Sequence, residues 1–432
     1  MRLDVNTWVM SEHFISPEQL CVGVYIQLEA GWMNHPFTFS SFKIKNQDQI
    51  EILRRLGLTR IKYDPNKSAN KPLPSQPSQP RVASVIARPQ VDEMMAKSLA
   101  EKAKRIEQLA RIRSDIARVE QQFVKVADTV RNVNRILRAN PEAAARESDA
   151  MVKQMVDTMM ACDNITLHVI SEHLGEDAYF HSLNVSVLSL MLGKAAELDA
   201  ITLHQAGLGA ILHDIGKIEI PTIVTMKTEP LTRPEQILME QHCEYGHRLA
   251  QKMNLSAEAM SVILQHHECV DGSGYPKKLT GEQMTMAAKV VSITNAYDNL
   301  CNPVNVVAAL SPSEALSQMF AFQRAKFDDR LLKLFIKRLG IYPPGSLVQL
   351  SNDMIGLVVS VNSEQPLRPD VMVYDANVPK EEALIVSLEA ESDLKVAKSL
   401  RPAQLPRQVH QYLNPRKNVT YFFDPKKKEA VS

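Results

Sequence analysis

The sequence predicts a multidomain, mainly α protein with a small N-terminal α+β domain and a small β unit near its C-terminus. Three observations predict it. Residues 140–340 carry a succession of helical patterns broken by short turn signals, with little β-branched alternation. Strand-like alternation is confined to the two ends of the chain. A segment rich in Pro, Ser and Asn, residues 65–90, separates the first end from the remainder. A chain of 432 residues is also too long for one ordinary core, so two or three domains are expected.

Taken in order, residues 12–64 read as the compact α+β domain. CVGVYIQLE (Cys21 to Glu29) and the stretch from Phe37 to Ile44 alternate as strands. DQIEILRRLGL has apolar residues at helical spacing and Gly57 as its stop, and IKYD returns to strand character. Residues 65–90 offer too little apolar surface to order themselves and are expected to be a flexible linker. Residues 91–138 form an amphipathic connecting helix, with Ile106, Leu109, Ile112, Ile116, Val119 and Phe123 recurring every three or four positions. That stripe either covers a neighbouring core or serves as a signalling helix or short dimer coiled coil, which would make the protein a homodimer. The helical domain spans 140–340. From Pro343, SLVQL, GLVVSVN and DVMVYDA are short β-rich runs, and residues 343–400 are expected to form the β unit. The tail ending DPKKKEAVS reads as a frayed, solvated end.

Fifty basic and forty-nine acidic residues leave a net charge of +1. Nothing global therefore points to a nucleic acid polymer or an anionic membrane as partner, and an anionic substrate must be attracted locally. The five cysteines are scattered, odd in number and without a CxxC pair, which argues for a reducing compartment. The first residues, MRLDVNTWVMSEHF, lack the apolar run of a signal peptide, and no apolar stretch reaches the roughly 18 residues of a membrane span. The expected setting is soluble and cytoplasmic.

Nine of the twelve histidines fall between His168 and His267. A lone helical histidine is more often structural than a ligand, so the neighbours must decide. GAILHDIGKIEIP puts His213 and Asp214 together at the end of an apolar helix, which Gly216 lets stop. SVILQHHECVDGSGYP puts His266 and His267 at another helix end, before a loop with two glycines and Pro276. His181 in YFHSLNVSVL and His242 in MEQHCEYG sit on apolar-backed helices. Five imidazoles and one carboxylate are more than a single first-row metal needs, but two divalent ions could share Asp214 as a bridge. Such a pair hydrolyses phosphate esters.

At these residues the chain resembles the HD-GYP family, bacterial phosphodiesterases that hydrolyse cyclic di-GMP. HDIGK (His213 to Lys217) and HHECVDGSGYP (His266 to Pro276) match its two signature segments in order and separation, over roughly residues 150–330. ISPEQLCVGVYIQLEAGW and HPFTFSSFKIK look like the uncharacterised domain often found ahead of it. The resemblance implies an HD-type helical bundle with two divalent metal ions, iron or manganese. It implies that His181, His213, Asp214 and residue 295 hold one ion, and Asp214, His242, His266 and His267 the other. Lys217 would contact the substrate phosphate, and Asp271, Gly274, Tyr275 and Pro276 would line the substrate pocket or meet another cyclic di-GMP signalling protein.

The chain departs from the family pattern in SITNAYDNL, where Asn295 stands at the position of a metal-binding aspartate. Asp298, one turn on, is expected to orient a ligand rather than replace one. NPVN (Asn302 to Asn305) takes the place of the family's basic Arg-Pro-Tyr-Arg stretch, leaving Arg324 and Lys326 as candidate cations. Asp177, one turn before His181, is where a third ion would want an acid. The resulting expectation is a phosphodiesterase acting through a metal-activated hydroxide on cyclic di-GMP or cyclic GMP-AMP, with linear dinucleotide or mononucleotide as product. The alternative is a catalytically degenerate module that binds the cyclic dinucleotide or docks a protein. A nucleoside phosphohydrolase would share the HD core without explaining the GYP loop. His13, His35, His168, His173, His204, His247 and His410 are read as structural or surface residues.

Overall fold

The computed structural model describes residues 13–29, 35–74, 89–162, 164–170, 180–376, 378–391, 393–413 and 419–426. The chain divides into two compact units. One comprises the residues up to Ile112 together with Asn352–Met354 and Val373–Ile385; the other comprises the rest.

The first unit contains β1 (His13–Ile15), β2 (Tyr25–Gln27), β3 (Ser41–Lys43), α1 (Gln47–Arg55) and β4 (Ile61–Tyr63). The strands form an antiparallel sheet in the order β1-β4-β2-β3. Asn46 caps α1 by accepting from the Gln49 amide, and Ile50 and Leu53 on its inner face pack with Val24, Ile26, Ile44 and Ile61. Strand β1 was not anticipated. Residues 65–74, expected to be flexible linker, are instead held to this unit by backbone pairing. The Ala69 amide donates to the Gly23 carbonyl at 2.8 Å, the Leu73 amide to Gln19 at 2.9 Å, and the Asn70 side chain to Val22 at 2.8 Å. A segment poor in apolar surface is ordered here because the 19–23 turn offers it unpaired carbonyls. Of the rest of the expected linker, 75–88 lies outside the described residues, and its last two residues, 89 and 90, already belong to the helix that follows.

The second unit starts within α2 (Pro89–Ile136), a continuous 48-residue helix. Its later turns bury Val119, Phe123, Ala127, Val130 and Val133, which is the core-covering role of an amphipathic stripe. There follow α3 (Pro141–Met160), β5 (Asn164–Val169), α4 (Phe180–Ala195), α5 (Ala200–Leu212), α6 (Thr222–Thr225) and α7 (Arg233–Glu240). Next come α8 (His242–Lys252), α9 (Ala257–Gln265), α10 (Met286–Cys301), α11 (Pro312–Phe322) and α12 (Asp329–Leu339). The chain ends in β6 (Leu347–Leu350), β7 (Ile355–Asn362), β8 (Asp370–Val373), β9 (Leu384–Ser387), β10 (Val396–Leu400), α13 (Arg407–Leu413) and β11 (Tyr421–Lys426). Among the described residues no helix is long and apolar enough to cross a membrane.

Helix α4 is buried on every side from Leu183 to Gly193, the signature of a central bundle helix. It packs on α5 and α10, and α9 packs on α5 and α8. One core runs from Val119 on α2 through the bundle to Phe423 on β11.

Two expectations are corrected here. NITLHV, inside the stretch read as wholly helical, is strand β5. It lies between β7 and β11 in a sheet ordered β10-β6-β7-β5-β11, with β8 joining at β7 and β9 at β8. Ile165, Thr166, Leu167, His168 and Val169 are all buried, so the strand is central and covered on both faces. The C-terminal tail is not frayed through Asp424 either. Tyr421, Phe422 and Phe423 are buried in β11, and each buried Phe is worth about 1.5–3 kcal/mol of transfer free energy. Asp424, itself buried, accepts from Arg118 on α2 at 2.7 Å.

Candidate metal centre

Three histidines are set by helix ends. The last carbonyls of an α-helix have no intrahelical partner, and here they receive imidazole N–H groups. His213 Nδ1 lies 2.6 Å from the Ala210 carbonyl at the end of α5. His242 Nδ1 is 2.6 Å from Met239 at the end of α7, and His266 Nδ1 is 2.8 Å from Ile263 at the end of α9. A carbonyl only accepts, so each Nδ1 carries the proton and each Nε2 presents its lone pair to the interior. Burial reinforces this by pushing the His242 imidazole down to about 4 and that of His266 well below its ordinary value.

The lone pairs converge. His242 Nε2 and His266 Nε2 stand 3.0 Å apart, and His181 Nε2 and His213 Nε2 stand 3.1 Å apart. Between the pairs lies Asp214. Its Oδ2 is 3.3 Å from His213 Nε2 and 3.6 Å from His181 Nε2, while its Oδ1 is 3.4 Å from His242 Nε2 and 3.9 Å from His266 Nε2. Burial alone would raise the Asp214 carboxyl, but the Lys217 ammonium beside it helps hold it well below the usual carboxylate range. Asp214, His242, His266 and His267 bring ligand atoms within 4.8 Å of one another, and so do His181, His213 and Asp214. Asp214 Oδ1 is buried without a hydrogen-bond partner. An orphaned carboxylate oxygen facing unprotonated imidazole nitrogens is a donor set that suits divalent cations of borderline character.

The HD turn reaches this position through close backbone packing. Gly216 sits in a 3-10 turn (Ile215–Glu219) pressed against the start of α8, where a Cβ would fall 1.9 Å from the His242 carbonyl oxygen. Helix α5 has already ended at His213, so Gly216 serves this approach rather than the stop expected of it. Lys217 donates to Asp214 Oδ2 at 2.6 Å.

The loop after α9 is built from its own backbone and one carboxylate. Glu268, 1% exposed, accepts from the Lys277 amide at 2.6 Å and the Leu279 amide at 2.9 Å. Gly274 lies against the His267–Cys269 backbone, with no room for a Cβ. The Tyr275–Pro276 bond is cis. The Tyr275 ring stacks on His267 with centroids 4.6 Å apart, and burial pushes its hydroxyl upward, so it stays protonated. Asp271 is exposed and turns back on Ser273, accepting from its amide at 3.0 Å and its hydroxyl at 2.6 Å. The structure thus shows it shaping the turn.

Asn295 is buried on α10, its Oδ1 accepting from Asn299 at 2.9 Å. Asp298, one turn on, lies 2.6 Å from His181 Nδ1 through Oδ2. Arg324 is paired with Asp329 at 2.5 Å, and the Lys326 carbonyl accepts from the Val270 amide. His247 Nε2 lies 3.3 Å from the Gln251 amide and belongs to neither histidine group. Asp177 and His173 lie outside the described residues. Sequence reasoning missed Glu268, and it missed Asn184 and Asn302, whose side-chain amides each donate to Asp298 Oδ1 at 2.8 Å. Glu268 follows the paired histidines directly, and Asn184 stands one helical turn after His181, so spacing carried a signal for both.

Comparison with known proteins matches the chain to three family models. The model described as "HD domain" covers residues 135–331, "Domain of unknown function (DUF3391)" covers 13–148, and "KOW domain associated with HD domain" covers 347–408. Similar curated proteins include the cyclic di-GMP phosphodiesterase PA4108 of Pseudomonas aeruginosa, 28% identical over 82% of this chain and 83% of that one. The cyclic di-GMP phosphodiesterase PdeB of Borreliella burgdorferi is 28% identical over 44% of this chain and 50% of that one. The 3'3'-cGAMP-specific phosphodiesterase 2 of Vibrio cholerae is 28% identical over 29% of this chain and 24% of that one. The chain therefore spans most of the first relative but only half and a quarter of the other two. The chain carries an HD domain, preceded by the DUF3391 domain and followed by the HD-associated KOW domain, and is similar to cyclic di-GMP phosphodiesterases.

Proposed function

We propose that the protein is a metal-dependent phosphodiesterase that opens a cyclic dinucleotide, cyclic di-GMP or cyclic GMP-AMP, to the linear dinucleotide or on to mononucleotide. The observation that carries this reading is Asp214, whose two oxygens face two separate sets of imidazole nitrogens. His181, His213 and Asp214 would hold one ion, and Asp214, His242, His266 and His267 a second, iron or manganese. When bound, such a pair stabilises phosphate oxygens and acidifies water. Relatives named for cyclic di-GMP and for cyclic GMP-AMP support the substrate class.

The chain's own residues supply the rest. Lys217, 38% exposed at its side chain, holds an ammonium beside Asp214 that can turn to an arriving phosphate. Tyr275 braces His267 by stacking on its ring, and its hydroxyl stays protonated. Glu268 keeps the loop carrying Tyr275 in place. Both groups share the one Asp214 carboxylate, and with Asn295 adding no charge the His181 side offers three ligating residues against four, so its ion would be held the more weakly.

The test is turnover of both cyclic dinucleotides by anaerobically purified full-length protein, with metal content measured on the same sample. Linear product, lost together with metal in His213→Ala/Asp214→Ala, is expected; metal-loaded protein that opens neither ring would end the reading. The neutral Asn295 also favours a second reading, a nucleotide-binding module. Tight binding without turnover, unchanged by Asn295→Asp, would identify it.

A further inference from the structure

Of the four histidines at this centre described above by their Nδ1 partners, three lean on carbonyls at the ends of their own or the preceding helix. His181 does not. It is the second residue of α4, and its Nδ1 is held by Asp298 at 2.6 Å, a fully buried carboxylate on α10. The other oxygen of Asp298 receives the side-chain amides of Asn184 and Asn302, each at 2.8 Å.

Those two asparagines also hold the C-terminal segment. Each donates its second amide hydrogen to the Val419 carbonyl at 2.8 Å. Asn184 Oδ1 accepts from the Tyr421 amide at 2.8 Å, and Asn302 Oδ1 accepts from the Val419 amide at 2.6 Å. Three bonds per amide group set which atom is nitrogen and which oxygen. Beside them the Tyr421 and Tyr297 hydroxyls meet at 2.9 Å in the core. A continuous chain of hydrogen bonds thus runs from the backbone leading into β11, through two asparagines, to the carboxylate that orients His181.

We infer that Asn184 and Asn302 are positioning residues through which the segment Val419–Tyr421 holds His181 in its ligating orientation. The C-terminal strand then governs the ion held by His181, His213 and Asp214, and leaves the ion held by His242, His266 and His267 alone. This rests on the metal-centre reading above. Removing a hydrogen-bond partner behind a metal-bound histidine costs about 10–100-fold in affinity. Asp298 without one of its amides, or replaced by asparagine, whose single oxygen cannot accept both from the imidazole N–H and from the two amides, loses its grip on the ring in this way.

The experiment is calorimetric titration of Mn2+ into metal-free full-length protein, wild type against Asn302→Ala, Asn184→Ala and Asp298→Asn, with circular dichroism and melting to check folding. The expected result is two Mn2+ on the wild type and, in each folded variant, one site unchanged and the other weaker by about 10–100-fold. Asp298→Asn keeps the volume of the side chain, so it decides the matter should either alanine variant fail to fold. Folded variants that keep both sites within about threefold of wild type, or weaken both equally, overturn the inference. Wild-type protein that takes up fewer than two ions brings down the metal-centre reading, and the inference with it.

Discussion

Gly216→Ala should separate the two halves of the proposed metal centre. A Cβ at 216 would lie 1.9 Å from the His242 carbonyl oxygen and 2.4 Å from the Gly246 amide nitrogen. Close carbon–oxygen contacts settle near 3.3 Å, so the 3-10 turn and the start of α8 must part by roughly 1.4 Å. Both obstacles are backbone atoms, and neither can rotate away. The displacement falls between Asp214 and His242, whose Oδ1–Nε2 distance is 3.4 Å. Metal sites tolerate distance errors of about 0.2 Å, and a misplacement of about 1 Å can cost 100-fold in rate. The variant should therefore lose about 1–3 kcal/mol of stability by overpacking and about 100-fold in cyclic-dinucleotide turnover. The Mn2+ site on the His242 side should weaken far more than that on the His181 side. Steady-state turnover and Mn2+ titration on the same preparation provide the assay. Turnover and both affinities within about threefold of wild type would refute the close-approach argument.

Glu268→Ala leaves the Lys277 and Leu279 amides without their acceptor, each bond to a charged group being worth about 1.5–3 kcal/mol. The loop should loosen, lowering Tm and raising KM for the cyclic dinucleotide more than it lowers kcat; an unchanged KM would contradict this. Burial holds His242 at about 4 against an ordinary 6.5, so the unfolded chain binds more protons than the folded one between those values. Its contribution to the stability of the metal-free protein is then complete above pH 6.5 and lost as pH falls towards 4, at most ~3 kcal/mol at 1.36 kcal/mol per pH unit. Urea midpoints from pH 7 to 4.5 should fall less steeply in a folded His242→Gln variant, and parallel slopes would remove His242 as the cause. His247→Ala should leave metal content intact, because its imidazole meets Gln251 rather than the Asp214 cluster; loss of one metal equivalent would show otherwise.

What could be read from the residues alone is what is encoded locally. His213–Asp214 and His266–His267 stand at helix ends, where the breaks in apolar periodicity and the following glycines mark the position within a few residues. The helix end itself supplies the carbonyl that orients His213 or His266, so composition over a dozen residues suffices to place those imidazoles. Strands around Tyr25 and Ile61 and helix α1 are likewise legible, since alternation and spacing are properties of a short window. Tertiary structure decided the remainder. Residues 65–74 are ordered by carbonyls near Gly23, and no composition rule counts hydrogen bonds to a distant turn. NITLHV and YFFDPK become strands because they pair with each other across about 250 positions of chain, NITLHV pairing with β7 on its other side. Asp298 finds His181 across 117 positions, and Asn184 finds Val419 across 235. These pairings form only when the bundle has brought α4, α10 and β11 together, because hydrogen bonding and desolvation act through space and carry no imprint of how far apart two residues lie in the chain.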